Sequence, residues 1–390
     1  MMRADFWFPW GVRVLVMTWA SGGNLPPLLA AASLLDRRGH EVTVLGSGET
    51  RAAARRLGLD VTGYQRGPDP DAHVAFEAQA ELMMATMAGS EIALDARDAL
   101  AKLRPDLAVV DCMLPAAIAA ARATGTPAAS LVHFLYGLAR TQMLRAGGGW
   151  TTDLRTLAAT HRLLGLTVAA DGLSAWEAPD LVLVSAPRWL DIDCDAPANV
   201  LHAGPLGVGH PSPQPAPTRA RPMVLLTFST TVMGGQTQLI DRVCEGVADL
   251  DVDALLTLGG VVEREAVRVP DSIEVMAFGD HDRIMPACAA VVGHGGLGTV
   301  LRALAHGVPQ LLLPLGRDQA FNASRVEQLD AGIGLPTDAP PERIQRGLHA
   351  LLTESRFSDA ATGAARRIAA QEPDQTAAEA LERAAHPSSS

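Results

Sequence analysis

The sequence predicts an α/β protein with two doubly wound domains, each built on a parallel sheet, that face each other across a cleft. Short, continuously apolar segments alternate with helical ones in both halves of the chain, which is typical of parallel sheets covered on both faces. The 390 residues are enough for two domains. A proline-rich stretch near the middle separates the halves, and the alternation begins again after it.

The first domain is predicted to span residues 1–208. Its apolar segments predict strands at 12–17, 42–45, 106–110, 128–132 and 180–184. A helix over 28–35 follows Pro26 and Pro27, which suit the first turn of a helix. An alanine-rich helix is predicted over 116–123.

The second domain is predicted to span residues 222–372, after a linker over 209–221 that alternates proline with small or polar residues. Strands are predicted at 223–228, 254–258, 273–276, 289–292 and 310–313. Helices are predicted over 239–247 and 343–352, and from about Leu297 and Asn322. A last helix within 373–385 is expected to pack back on the first domain.

Composition narrows the class of function. A formal net charge of -11 argues against a general attraction to nucleic acid or anionic lipid, but leaves room for a local phosphate pocket. The four cysteines are far apart and form no C-x-x-C pair, so we expect free thiols and no metal site. We find no signal peptide and no apolar run long enough to span a membrane. The sequence therefore predicts a cytoplasmic protein.

The most informative motif is His294-Gly295-Gly296-Leu297-Gly298-Thr299, directly after a predicted strand. Small residues at a strand-to-helix turn let backbone N–H groups approach a ligand, and the start of a helix favours negative charge. His294 can donate to a phosphate oxygen and, when protonated, neutralise part of a leaving group's charge. The turn therefore suits a diphosphate, although an ordinary tight turn is the alternative interpretation.

The sequence that follows makes the motif specific, with His306-Gly307-Val308-Pro309 and then Pro314 to Gln319. The block from Phe278 to Gly334 resembles the nucleotide-sugar signature of the family-1 glycosyltransferases, in the bacterial branch that attaches sugars to natural products. Residues 37–43 and 106–111 extend the resemblance into the first half. It implies the GT-B fold, with two Rossmann-like domains, and inverting sugar transfer from a UDP- or dTDP-sugar to a hydrophobic acceptor.

The resemblance also implies which residues bind the donor. Phe278, followed by Gly279, stands where the family stacks an aromatic ring on the nucleotide base. The diphosphate positions are His294, Gly295, Gly296, Gly298 and Thr299. Asp318 and Gln319 match the pair that binds the sugar hydroxyls. Ser229 and Thr230, after the strand at 223–228, either reach the diphosphate from the other side or are simple loop hydroxyls.

Two positions depart from the family pattern. Arg302 replaces the glutamate that binds the ribose hydroxyls, and an arginine cannot accept hydrogen bonds. Ribose binding must therefore differ, or Arg302 contacts phosphate or another acidic group. Asn24 replaces the histidine that deprotonates the acceptor, and a neutral amide is not a useful base. The carboxylate that orients this histidine in the family has a counterpart in Asp111.

Three interpretations of the catalytic base follow. Asp111 acts directly or through water, which we favour; its structural alternative is a helix cap. His133, at the end of the strand at 128–132, acts instead or forms part of a pocket wall. In the third, the acceptor needs little deprotonation, and Asn24 only positions it.

No cofactor is expected apart from the nucleotide-sugar co-substrate, and no metal, because Asp251-Val252-Asp253 reads as a solvated turn rather than a metal-binding D-x-D motif. Apolar side chains between Tyr64 and Gly149 suit a flat hydrophobic acceptor or, equally, a helix core; they are Phe76, Met83, Met84, Met87, Phe134, Tyr136 and Met143. The rival functions are a nucleotide-sugar epimerase or hydrolase and a catalytically weak nucleotide-sugar-binding protein. A homodimer is left open.

Overall fold

The computed structural model describes residues 11–66, 76–145, 154–209 and 220–386, with side chains from residue 81 onward in the second of these ranges. The predictions made for the amino-terminal segment, for residues 210–219 of the linker, for the side chain of Phe76 and for the carboxyl-terminal tail lie outside what the structure describes. The chain divides into two compact units. Unit 1 comprises Met1–Gly207 and Pro373–Ser390, and unit 2 comprises Val208–Glu372.

Unit 1 is built on a seven-stranded, wholly parallel sheet with the strand order β3-β2-β1-β4-β5-β6-β7. The strands are β1 (Arg13–Met17), β2 (Glu41–Gly46), β3 (Asp60–Gly63), β4 (Leu107–Asp111), β5 (Ala128–Val132), β6 (Leu181–Val184) and β7 (Val200–His202). The helices are α1 (Leu25–Arg37), α2 (Gly48–Arg56), α3 (Phe76–Ala88), α4 (Ser90–Leu103), α5 (Pro115–Thr124), α6 (Tyr136–Arg145), α7 (Leu154–Leu163) and α8 (Gly172–Trp176).

The order of this sheet reverses between β1 and β4, which lie side by side with Val14 opposite Leu107. In an open parallel sheet, the loops that leave two such strands diverge and form a crevice at their carboxyl ends. Two apolar layers, one on each face of the sheet, hold these strands in place. The crevice therefore lies between the loop after β1 and the end of β4.

The last helix of the chain, α15 (Pro373–Ala385), packs against α1 in unit 1. Glu382 on this helix accepts hydrogen bonds from Arg38 Nε at 2.7 Å and Arg38 Nη2 at 3.0 Å. His40 Nε2 lies 3.0 Å from Glu382 Oε1, and His40 Nδ1 accepts from the Val12 amide at 3.2 Å. A charged cluster thus ties the carboxyl-terminal helix to the turn between α1 and β2.

Unit 2 has a six-stranded parallel sheet with the order β10-β9-β8-β11-β12-β13. The strands are β8 (Met223–Thr227), β9 (Asp253–Thr257), β10 (Ile273–Met276), β11 (Cys288–Gly293), β12 (Gln310–Leu312) and β13 (Gly332–Gly334). The helices are α9 (Gln236–Val247), α10 (His281–Ile284), α11 (Leu297–Ala305), α12 (Gln319–Gln328), α13 (Pro341–Thr353) and α14 (Ser355–Ala369). Its order reverses between β8 and β11, so its crevice lies between the loops that follow these two strands.

The predicted α/β class with two parallel sheets is confirmed, and each predicted strand lies within one or two residues of an observed one. Three strands were not predicted from the sequence: β3, β7 and β13, which are edge strands of three or four residues. Edge strands bury less surface, so they lack the continuous apolar runs that identified the central ones. In the described part of the chain, no helix combines the length and the hydrophobicity needed to cross a membrane.

Candidate active site

The crevice of unit 1 brings Asn24 and Asp111 together. Asn24 precedes α1, is 2% exposed, and donates from Nδ2 to Asp111 Oδ2 at 2.6 Å. The same amide nitrogen donates to the Trp19 carbonyl at 2.8 Å, and its oxygen accepts from the Ser21 amide at 3.1 Å. Both amide hydrogens of Asn24 are therefore engaged within the loop, which leaves the side chain no hydrogen with which to position an acceptor.

Asp111 ends β4 and is completely buried. Besides Asn24, its carboxylate accepts from Thr18 Oγ1 at 3.0 Å and from the Met113 amide at 2.9 Å. His133 Nε2 lies 3.2 Å from Asp111 Oδ1. Since four donors surround the carboxylate and no part of it reaches solvent, the geometry disfavours Asp111 as a group that touches an acceptor.

His133 follows β5 and is the exposed member of this pair, with 13% of its side chain accessible. Burial opposes the charged ring, but Cys112 and the Asp111 carboxylate outweigh it and raise the pKa of His133 well above its ordinary value. Burial likewise opposes ionisation of Asp111, yet His133, Asn24 and the Met113 amide hold the pKa of Asp111 below its ordinary value. The pair therefore consists of an ionised carboxylate and a strongly basic imidazole.

Side-chain ligand atoms of Asp111, Cys112 and His133 all lie within 4.8 Å of one another. Spacing of this kind is compatible with a metal ion. The four hydrogen-bond donors around Asp111 already occupy the acceptor positions that a carboxylate offers. The group is accordingly better described as a hydrogen-bonded network around an imidazole than as a metal centre.

In unit 2, the turn after β11 holds the predicted phosphate residues. Gly295 has a φ of +83°, a conformation that favours glycine, and Gly296 is the extended N-cap of α11. The first amides of a helix have no partner within the helix, so those of Leu297 and Gly298 point out of its start. Gly298 is exposed and Thr299 partly exposed. The turn thus presents amides and one hydroxyl at the crevice between β8 and β11.

His294 lies beneath this turn and is 7% exposed. A Cβ added to Gly296 would come within 2.6 Å of His294 Nε2, so the imidazole packs directly against the glycine. Burial lowers the pKa of His294 to about 4; Arg317 adds to this effect, while the Thr227 carbonyl opposes it. His294 is therefore neutral at physiological pH, so it carries a single N–H, which it can donate to one acceptor, and it supplies no counter-charge.

Three buried polar atoms that the structure describes near this crevice have no hydrogen-bond partner. Among the described residues, His294 Nδ1, Asn322 Oδ1 and Gln236 Oε1 are buried and make no hydrogen bond. Asn322 Nδ2 donates to the Gly295 carbonyl at 3.0 Å, and Gln236 Nε2 donates to the Ser229 carbonyl at 3.1 Å. Buried polar groups are normally paired, so a cluster of unpaired ones indicates a place for a polar ligand or for water.

The two residues predicted to bind the sugar differ in their availability. Asp318, at the start of α12, is partly exposed and uses Oδ2 to accept from Asn322 at 3.1 Å. Gln319 is 3% exposed, and its Oε1 accepts from the Leu315 amide at 2.7 Å and the Gly316 amide at 3.1 Å. Asp318 is thus placed to accept a hydroxyl, whereas Gln319 braces the loop before α12.

The remaining predicted donor residues lie on loops at the same end of the sheet. Phe278, just after β10, is 68% exposed and is followed by buried Gly279. An exposed aromatic ring of this size offers a face for stacking on a base. Ser229 is 6% exposed and its hydroxyl accepts from the Thr231 amide at 3.0 Å, whereas Thr230 is exposed. Of this pair, only Thr230 has a side chain open to a ligand.

Arg302, the departure from the family pattern on α11, contacts an acidic group. Its Nε atom donates to Asp282 Oδ2 at 3.3 Å, and its Nη1 atom donates to the Gly298 carbonyl at 3.3 Å. His306 Nε2 lies 3.3 Å from Asp282 Oδ1. An acidic partner for Arg302 was one of the two predicted alternatives, but Asp282 was not predicted as that partner. No role was predicted for Asn322, although a helix was predicted to begin there.

The apolar residues proposed for the acceptor are mostly core. Met87, Tyr136 and Met143 are at most 3% exposed, which supports the helix-core alternative for them. Phe134 stacks on Trp176 with ring centroids 5.8 Å apart and is partly exposed. Phe134 is next to His133, and its ring is partly accessible. Among the methionines of this set whose side chains are described, Met83 is the most accessible, at 37% exposure.

Comparisons with known proteins agree with this geometry. Residues 241–383 match a family described as the C-terminal domain of erythromycin biosynthesis protein CIII-like proteins. The chain is 29% identical over 282 residues to the 3-alpha-mycarosylerythronolide B desosaminyl transferase of Saccharopolyspora erythraea, across 65% of this chain and 62% of that protein. It is 28% identical over 400 residues to the 4'-demethylrebeccamycin synthase of Lentzea aerocolonigenes, across 89% of this chain and 93% of that protein.

Coverage of these relatives is uneven: the chain spans less than two thirds of the first of them, and about a third of several others. Among solved structures, the glycotransferase of kitacinnamycin superposes with a TM-score of 0.80 at 22% identity, over 97% of this chain and 100% of that one. This likeness shows that the chain has the GT-B fold. Residues 241–383 carry the C-terminal domain of the erythromycin biosynthesis protein CIII-like family, and the chain as a whole is similar to glycosyltransferases of antibiotic biosynthesis.

Proposed function

We propose that this protein transfers a sugar from a UDP- or dTDP-sugar to a hydroxyl group of a hydrophobic natural product, with inversion at the anomeric carbon. The observation that carries the proposal is the turn from His294 to Thr299, which presents helix amides and a buried imidazole at the crevice of unit 2. The desosaminyl transferase activity named for the relative from Saccharopolyspora supports the same reaction class.

The donor's leaving diphosphate gains charge as its bond to the sugar breaks. The start of α11 offers unpaired amides and the favourable end of the helix dipole to that charge. Neutral His294 adds a hydrogen bond, and the exposed Arg317, close enough to lower the pKa of His294, adds a positive charge. We propose that these groups stabilise the leaving group without a metal ion.

The acceptor hydroxyl must lose a proton as its oxygen bonds to the anomeric carbon. We propose that His133 takes that proton, in place of the family histidine that Asn24 replaces. With His133 Nε2 directed at Asp111, its Nδ1 atom is the nitrogen that accepts. Asp111 then orients the ring and stabilises the imidazolium that forms. We therefore prefer His133 to Asp111 as the catalytic base, because Asp111 is buried and fully hydrogen-bonded.

Asp318 is proposed to accept a hydrogen bond from the transferred sugar. Its Oδ2 atom is held by Asn322, which leaves Oδ1 to accept a hydroxyl. The four cysteines are all free, which favours a reducing, cytoplasmic setting for this chemistry. A hydrolase or epimerase would need no acceptor, so incubation with the donor alone separates those rivals from a transferase.

The experiment combines the donor, the acceptor and a variant of His294. The purified chain is incubated with UDP- and dTDP-sugars and a panel of polycyclic and macrolide acceptors, and products are identified by mass spectrometry and by the anomeric coupling in NMR. His294→Ala should lower kcat by about 10²–10³ because a preorganised donor to the leaving group is lost. An unchanged kcat in that variant, or retention of the anomeric configuration, would contradict the mechanism.

A further inference from the structure

The ion pair between Arg302 and Asp282 stands at a position where the family has a glutamate for the ribose hydroxyls. Arg302 Nε lies 3.3 Å from Asp282 Oδ2. The Nε atom of an arginine and the carboxylate oxygens of a glutamate are the same number of bonds from Cα. A glutamate at position 302 would therefore place its carboxylate oxygens about where Arg302 Nε lies. Asp282 Oδ2 is within hydrogen-bond distance of that place.

Asp282 is held firmly in this position. Its Oδ1 atom accepts from the Gly209 amide at 2.9 Å and lies 3.3 Å from His306 Nε2. Burial disfavours its charge, but His306, Arg302 and the Gly209 amide overcome this and lower the pKa of Asp282 to about 2. The carboxylate is consequently ionised at physiological pH and can only accept hydrogen bonds.

The acceptor capacity of Asp282 is not exhausted. A carboxylate has about four lone-pair positions, and the described donors occupy two on Oδ1 and one on Oδ2. The side chain is 28% exposed, so the carboxylate is not sealed from a ligand. Asp282 lies on α10, four residues after Phe278, the proposed base-stacking residue, so this acceptor follows closely on the proposed nucleoside site.

We propose that Asp282 accepts a hydrogen bond from a single ring hydroxyl of the donor nucleoside and that Arg302 positions it for this role. The inference rests on the proposed function, in which unit 2 binds a nucleoside diphosphate. One open acceptor position serves one hydroxyl, whereas a glutamate with both oxygens free serves two. The site therefore gains no affinity from a second hydroxyl and takes 2'-deoxynucleoside diphosphates as well as ribonucleoside diphosphates.

Calorimetric titration of the full chain tests the contact with the 3'-hydroxyl. The probes are dTDP and 2',3'-dideoxythymidine diphosphate, which differ only in that group. The wild type should bind the dideoxy compound about tenfold or more weakly, since a hydrogen bond to a charged group is lost. Asp282→Asn should weaken dTDP by a similar factor and leave the dideoxy compound unchanged, because the contact is already absent there.

Asp280→Asn is the matched control, because it removes a carboxylate two residues from Asp282, at the N-cap of the same helix. Asp280 is 59% exposed and caps α10, a role that asparagine fills equally well. The control should preserve the wild-type ratio of the two affinities. Equal weakening of both probes by Asp282→Asn, or no discrimination by the wild type, would overturn the inference. A wild type that binds neither nucleotide would contradict the proposed function instead.

The second hydroxyl is tested with UDP and 2'-deoxyuridine diphosphate. The wild type should bind these two within a factor of about three, which corresponds to less than one hydrogen bond. Combining Arg302→Glu with Asp282→Asn returns the carboxylate to α11 with both oxygens free, and should shift the preference about tenfold toward UDP. A wild type that already prefers UDP by that factor would show that the 2'-hydroxyl has its own acceptor.

Discussion

Asp111→Asn is the sharpest test of the acceptor side, because it removes the charge beside His133 and preserves the size of the side chain. The two groups are 3.2 Å apart and Asp111 is fully buried. At that separation, two unit charges attract by about 5 kcal/mol for an effective dielectric constant of about 20. Loss of this attraction should lower the pKa of His133 from its raised value.

The sign of the effect on rate follows from the role of the ring. His133 can accept a proton only when neutral, so kcat/KM falls about tenfold for each pH unit below its pKa. The wild-type profile should therefore still be rising above neutral pH. In Asp111→Asn the rising limb should move to lower pH, while the plateau falls by about 10²–10⁴ because the ring is no longer oriented or stabilised.

The assay is kcat/KM for the acceptor at saturating donor, measured from mildly acidic to alkaline pH. Thr18→Val is the matched control: it removes the 3.0 Å hydrogen bond to Asp111 Oδ2 but leaves the charge, so its limb should stay near that of the wild type. If the rising part of the pH profile stays at the same pH in Asp111→Asn, the assignment of His133 as the base is refuted. Full activity in His133→Asn would return the role of base to Asp111.

Three further predictions concern other parts of the molecule. Gly296→Ala should displace the His294 ring, which lies 2.6 Å from the added Cβ, and lower kcat more than stability; a variant with unchanged kcat would contradict this packing. Asp318→Ala should weaken binding of the nucleotide-sugar by about tenfold but leave nucleoside diphosphate binding unchanged, measured by calorimetry. Glu382→Ala should destabilise unit 1 by about 1–3 kcal/mol in thermal unfolding, an effect absent from the exposed control Glu379→Ala.

The effect of Glu382→Ala also has a defined pH dependence. Burial opposes ionisation of Glu382, but Arg38 and His40 lower its pKa in the folded protein below 4.5. Because the folded-state pKa is depressed, the stabilisation is present above the unfolded value and is lost as the pH falls through the folded one. The difference between wild type and variant should therefore shrink below about pH 4.5. A difference that stays constant as the pH falls would show that Glu382 acts through packing alone.

The sequence was sufficient for the fold and for the location of both crevices. Continuous apolar runs identified β1, β4, β8 and β11, and parallel pairing fixes which ends carry the loops. The motif at His294 was found because its glycines are needed for a specific backbone path, with a φ of +83° at Gly295. Features that depend on local backbone geometry can thus be predicted from a single sequence.

Contacts between side chains on different elements were harder to predict. The sequence predicted that Asp111 and His133 end neighbouring strands, but it did not predict the four donors around Asp111, on which our preference for His133 as base rests. Gln319 was predicted to bind sugar, yet its oxygen accepts from two loop amides. Such outcomes depend on rotamers and on neighbours distant along the chain, which periodicity does not encode.

The replacement of the family histidine by Asn24 does not by itself imply a loss of activity. The Asp111 carboxylate needs buried donors, and Asn24 supplies one at 2.6 Å where the family supplies an imidazole. The proton-accepting ring then comes from the neighbouring strand, since β5 pairs with β4 and ends in His133. We propose the same exchange on α11, where the carboxylate of Asp282 on α10 lies 3.3 Å from Arg302 and stands in for the missing glutamate. In both crevices, a group within hydrogen-bond distance on an adjacent element offers the chemistry that the altered position lacks, which is why we propose that proton transfer and nucleoside binding are retained.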